Sequence, residues 1–153
     1  MPAPATLAED LRSVLEGGAW HGPALLELLA DVDAARAAAR PAGGAHSIAE
    51  LVAHVVAWLE TPLQRATEAG HRLESEVDWP PVPAPLDEAA WKGLRERLAR
   101  AGQALARLAE QASEADLARP VAGKEYDVRF MLAGAVSHVV YHAGQVALLK
   151  RGL

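Results

Sequence analysis

The chain has 153 residues, enough to bury a real core and suited to a single domain over 1–153. Its net charge is −5 with no basic block, so nucleic-acid binding has no electrostatic footprint. It has no cysteine, which excludes disulfides, cysteine-based zinc sites and a nucleophilic thiol of its own.

Ala and Leu fill the apolar share, aromatic residues are only 5% and β-branched runs are few, a mix that favours helix. The opening "MPAPATLAEDL" has neither a basic n-region nor an apolar h-region, so a signal peptide is not expected and a cytoplasmic location is. The first helix is predicted to start after Thr6 and run to about Glu16, where "GGAWHGP" breaks it. Pro23 suits the first turn of a new helix, "PALLELLADV", and "ARPAGGAH" reads as a loop. In "SIAELVAHVVAWLETPLQRATEAG", Ser47 and Glu50 form a capping box, each satisfying an orphan N–H of the other's turn. Ile48, Leu51, Val52, Val55, Val56, Leu59 and Leu63 recur at helical spacing, with Pro62 a place for a kink and Gly70 for a stop.

"VDWPPVPAPLD" is an extended, proline-rich crossover. Asp87 then caps a long helix from Glu88 to about Ala112, whose seam is Trp91, Leu94, Leu98, Ala101, Leu105, Leu108 and Ala112. Its other face, with Lys92, Arg95, Arg97 and Arg100, is the solvated one. "SEADLARPVAGKEYD" connects, with one short turn of helix near "SEADLA". Asp127 can cap a last helix that runs to about Arg151, with Gly152 as its stop. These elements predict an all-α four-helix bundle, with the long proline-rich crossover between principal helices 2 and 3.

The last helix is unusual. From Phe130 to Leu149 it carries no acidic or basic residue, and about 20 such residues is a membrane-spanning length. Yet Ser137, His138, Tyr141, His142 and Gln145 lie at its middle, where lipid penalises polar groups. A central, mostly buried helix with no membrane is the expectation. Val136, Val140 and Ala147 make its far side apolar too, which predicts a second contact surface, most simply a twofold dimer.

His138 and His142 stand at i and i+4, so they project together about 6 Å apart along the axis. Gly134, Ala135, Gln145 and Leu149 share that face, and the small residues leave room beside the imidazoles. Such a pair ligates one divalent metal on metalloprotease helices, although Val139 stands here where that motif carries Glu. The alternative is two core histidines bonded to backbone or water. His54, inside "ELVAHVVAW", is a third imidazole in an apolar helix. Bundles build metal sites from inward side chains on facing helices, and three neutral imidazoles with an open fourth position describe a catalytic site. Nitrogen ligation suits Zn, Ni, Cu or Fe(II) better than Mg or Ca. Binding should weaken below about pH 6, because a ligating imidazole must be neutral.

"HSIAELVAHVVAWLE" together with "VSHVVYHAGQVALLKRGL" resembles the DinB superfamily, and the resemblance covers most of the chain. It implies a DinB-type bundle in which His54, His138 and His142 hold one divalent metal, usually Zn or Ni, in a protein that is often a homodimer. It also implies two reaction classes. One is a metal-dependent hydrolase. The other is a transferase or isomerase that uses a low-molecular-weight thiol such as bacillithiol or mycothiol.

Second-tier residues follow. His21 in "AWHGP" is a candidate general base or substrate contact, or else a loop histidine that caps. Gln145 is a candidate to hold a ligand imidazole or the substrate. Trp58 is either core or a substrate platform. Tyr141 edges the pocket or packs in an interface, and Glu50 serves its capping box first. His46 and His71 are read as solvated, and Arg129 and Lys124 as surface cations able to meet an acidic cosubstrate. The expected function is a metal-dependent enzyme acting on a small molecule. The alternatives are a non-catalytic, stress-associated metal-binding dimer, and a metal-free dimer with core histidines.

Overall fold

Side-chain caps decide where the helices begin. The computed structural model describes residues 4–67 and 77–152, which form helices and loops with one isolated bridge between Pro120 and Asp127. In order these helices are α1 (Pro4–Glu16), α2 (Leu25–Leu29), α3 (Ala34–Ala38), α4 (Ile48–Thr67), α5 (Glu88–Gln111), α6 (Glu114–Leu117) and α7 (Val128–Gly152). The Ser47–Glu50 box is formed: the Ser47 N–H donates to Glu50 at 2.8 Å and the Glu50 N–H donates to the Ser47 hydroxyl at 3.2 Å. Burial alone would raise the Glu50 pKa. The Ser47 N–H and the Arg40 guanidinium outweigh it and hold the carboxylate below its ordinary range. Asp87 accepts from the Ala90 N–H at 2.7 Å and Asp127 from the Phe130 N–H at 2.8 Å, so both expected caps operate. Ser113 caps the short α6 through the Asp116 N–H at 3.1 Å.

One region departs from the sequence expectation. The helix anticipated over 23–32 ends at Leu29, and a second short helix, α3, fills the stretch between it and the anticipated loop, which starts at Ala39. The cause is local: Asp33 accepts the Arg36 N–H at 2.8 Å and opens a new helix, while the Val32 N–H turns back to the Leu29 carbonyl. Pro62 lies inside α4 without ending it, because the helix runs to Thr67. Gly70 and His71 lie outside the described residues.

The long helices surround a common core. α1 packs against α5 and α7, and α4 packs against the same two, while α2 and α3 cover one end. Trp91, Leu98, Ala101 and Leu105 of the expected seam are buried; Leu94, Leu108 and Ala112 are half-buried and pack against them. The wholly buried Trp91 donates its indole N–H to the Val32 carbonyl at 2.6 Å, which ties α5 to the α2–α3 turn. The other end of α7 is tied down as well. Lys150 donates to the Leu28 carbonyl at 2.7 Å and pairs with Asp31 at 2.5 Å, and Arg36 donates to the Lys150 carbonyl. Across α4 and α5, Arg97 grips Glu60 with two hydrogen bonds of 2.7 and 2.6 Å.

α7 is long and apolar enough to cross a membrane by length and composition. It packs on α1, α2 and α4 through Leu132, Ala135, Val139, Ala143 and Val146, all buried. Its exposed stripe differs from the one anticipated. Val136 and Val140 are half-buried against the core and Ala147 is half-buried, whereas Phe130, Ser137, Tyr141 and Leu148 face outward. The reason is that α7 lies between α1 and α4, so the flanks that carry Val136 and Val140 are partly covered.

Gly102 marks the closest approach of α1 and α5. A Cβ there would stand 2.3 Å from Leu15 Cδ1, and Leu15 is itself buried, so it has little room to retreat. Gly102→Val should lower stability by about 1–3 kcal/mol, as overpacking does. Urea unfolding followed by circular dichroism measures it, and an unchanged midpoint would contradict the close approach.

Candidate metal centre

α4 supplies one imidazole and α7 two, and the helix packing brings them to one point. One nitrogen from each of His54, His138 and His142 lies within 4.8 Å of the others. The Nε2 of His138 is 3.0 Å from that of His54 and 3.1 Å from that of His142. His54 and His142 are buried, with 6% exposure each, and His138 is half-buried.

The outer nitrogens fix where the protons sit. His54 Nδ1 lies 2.6 Å from the Asp78 carbonyl, which can only accept, so Nδ1 carries the proton and Nε2 the lone pair. His142 Nδ1 lies 2.6 Å from the Gln145 side-chain oxygen, which fixes the same tautomer there. Two lone pairs therefore point at His138 Nε2 from opposite neighbours. That atom holds at most one proton and can satisfy only one of them. A cation at the shared point satisfies all three. The spacing also suits one, since tetrahedral ligands with bonds of about 2.0–2.1 Å stand about 3.3 Å apart. A set of three imidazole nitrogens suits Zn, Ni, Cu or Fe(II) alike, and the outer N–H groups of His54 and His142 have the kind of partner that orients a ligating imidazole.

The proline-rich segment 77–87 shapes this site directly. Besides lending its carbonyl to His54, Asp78 accepts the Trp58 indole N–H at 2.6 Å, and its carboxylate is 3.4 Å from His54 Nδ1. Trp79 lies flat on His54, with centroids 4.0 Å apart and planes 13° apart. His46 stacks on Trp79 at 3.6 Å and 8°, and also lies 3.5 Å from Glu50. His46 is exposed as expected, yet its ring is engaged rather than merely solvated.

The remaining candidates separate. Trp58 faces the centre, its ring 5.9 Å from His138 and 6.4 Å from His54. Tyr141 is exposed and meets His142 edge-on at 5.1 Å. His21 is exposed and lines a different cavity, of about 510 Å³, with Leu28, Val140 and Lys150. Arg129 pairs with Glu114, and Lys124 is exposed in the α6–α7 turn. Sequence reasoning missed Asp78 and Trp79, and it read His46 as solvated without its stacking on Trp79. The available signal was an acid and an aromatic fixed just before two prolines in "VDWPP".

Burial makes His138 and His142 hard to protonate. His138 is pulled down from 6.5 to about 4, chiefly by burial and then by the neighbouring His142 and His54. His142 is lowered too, first by burial, with its Gln145 hydrogen bond opposing.

A family model described as DinB superfamily matches residues 19–146. No curated protein and no solved structure matches the chain.

The His138 shift has a direct consequence for the metal-free protein. Between about 6.5 and about 4 the unfolded chain takes up a proton that the folded chain refuses. This contribution to stability is present in full above about 6.5 and is lost as pH falls toward about 4. Thermal unfolding in chelator should show Tm falling through that window, and the fall should flatten in His138→Leu. Equal pH slopes in the two proteins would rule out His138 as the linked group.

Proposed function

The chain belongs to the DinB superfamily, and on that premise we propose that it is a divalent-metal-dependent enzyme on a DinB-type four-helix bundle, with His54, His138 and His142 as the metal ligands. The observation that carries this reading is the convergence of the Nε2 atoms at 3.0 and 3.1 Å, with the outer nitrogens of His54 and His142 committed elsewhere. When bound, a Zn or Ni ion supplies Lewis acidity and lowers the pKa of water or a thiol. The chain's residues do the rest. Burial keeps His138 and His142 neutral at physiological pH, so their lone pairs are available without proton loss. Asp78 and Gln145 hold the ring protons outward, and Trp79 covers one face of His54.

Between the two reaction classes we put thiol transfer first. Hydrolysis calls for a positioned base, and the base suggested by the sequence, His21, lines another cavity. A low-molecular-weight thiol bound as thiolate needs none, and with no cysteine in the chain it must arrive as a cosubstrate. The proposal includes a small-molecule substrate, a cytoplasmic setting and a homodimer. The polar cluster midway along α7 supports this setting over a lipid one.

Untagged protein should carry metal that the triple His54→Ala, His138→Ala, His142→Ala variant lacks, by elemental analysis; equal contents would sink the ligand assignment. Gln145→Leu should weaken metal affinity by about 10–100-fold, read against a competing chelator. Metal-loaded protein should turn over a model electrophile only when bacillithiol or mycothiol is added. Turnover without thiol would favour hydrolysis. Full metal occupancy with no turnover over a broad substrate panel would favour the non-catalytic reading.

A further inference from the structure

A slot of about 240 Å³ opens beside the histidine centre, between α4 and α7. Its orientation follows from two contacts. At one end Trp58 of α4 faces His138 of α7, with ring centroids 5.9 Å apart. At the other end Arg65 of α4 donates to the hydroxyl of Tyr126, just before α7, at 2.9 Å. The helices are therefore antiparallel here, and the slot runs seven residues along α4, about 10 Å.

The walls between those ends are apolar, formed by Pro62 and Met131. Gly134 and Ala135 keep the α7 side low, and a Cβ built on Gly134 would meet nothing within 4 Å. The volume is below the roughly 300–1,000 Å³ of drug-sized pockets, so the slot suits a fragment rather than a large ligand. The Tyr126 hydroxyl accepts from Arg65 and keeps its own proton to donate.

We propose that this slot receives a slim apolar or aromatic group of the substrate, and that it holds the substrate's reacting end at the three histidines. The assignment of the reacting end rests on the metal-dependent reading above; the slot itself does not. Gly134 is the specificity-determining position. A Cβ there meets nothing within 4 Å, so a larger side chain has room to enter the slot.

Two probes on the full chain test this. p-Cresol, whose hydroxyl can accept from Tyr126, is titrated by ligand-observed NMR into metal-free and zinc-loaded protein. Saturable binding is expected in both, weakened at least about 10-fold in Gly134→Leu, with helicity and metal content unchanged. Benzohydroxamate and acetohydroxamate are then compared on zinc-loaded protein by calorimetry. The aryl compound should bind about 10-fold or more tightly, and Gly134→Leu should remove that advantage while sparing acetohydroxamate. Equal cresol affinity in the wild type and Gly134→Leu, or no aryl advantage in the wild type, overturns the proposal. A chain that takes up no zinc would sink the metal-dependent reading, and the cresol titration would still decide the slot.

Discussion

The hydrogen bond from His54 Nδ1 to the Asp78 carbonyl is the constraint on which the site turns. A backbone carbonyl only accepts, so this single contact fixes the His54 tautomer and aims its lone pair at α7. His142 is aimed from the other side by Gln145. Helix packing closes the gap, because α4 and α7 lie side by side and carry the three rings to one depth. Imidazoles committed in this way are poor partners for each other and good partners for a cation.

The proline-rich segment that supplies Asp78 does more than link two helices in sequence. Two prolines follow Asp78 and Trp79 and limit the backbone there to extended conformations, which cuts the entropy lost in holding the strap over α4. Trp79 then stacks between His46 and His54, and Trp58 ties the Asp78 side chain to α4. The strap thus shields one flank of the centre. On the opposite side of Trp58 the small residues of α7 leave the slot beside His138 open. One helix therefore presents two of the three clustered histidines and one wall of a pocket, which explains why α7 is apolar over most of its length yet polar at its middle.

Much of this was legible in the chain itself. The capping residues Ser47, Asp87 and Asp127 each stand at the start of a long helix, where they adjoin apolar runs of helical period. Cap and period are both local properties. The i,i+4 spacing of His138 and His142 forces them onto one face in any α-helix. The short helices near Asp33 were harder to read, because Asp33 competes with the end of α2 over only a few residues and neither outcome has a long periodic signal.

What the sequence determined by itself was the helical class, the main caps and the pairing of two histidines on one face, since each follows from neighbours within a turn or two. Only the tertiary structure decided the rest. His54 meets His138 across 84 positions of chain, and Asp78 meets His54 across 24, contacts no local period encodes. Which side of α7 stays exposed depends on where α1 and α4 lie against it. The separation of His21 from the histidine centre depends likewise on how the turn before α2 packs on α7. Local geometry sets which residues share a face; helix packing sets what that face meets.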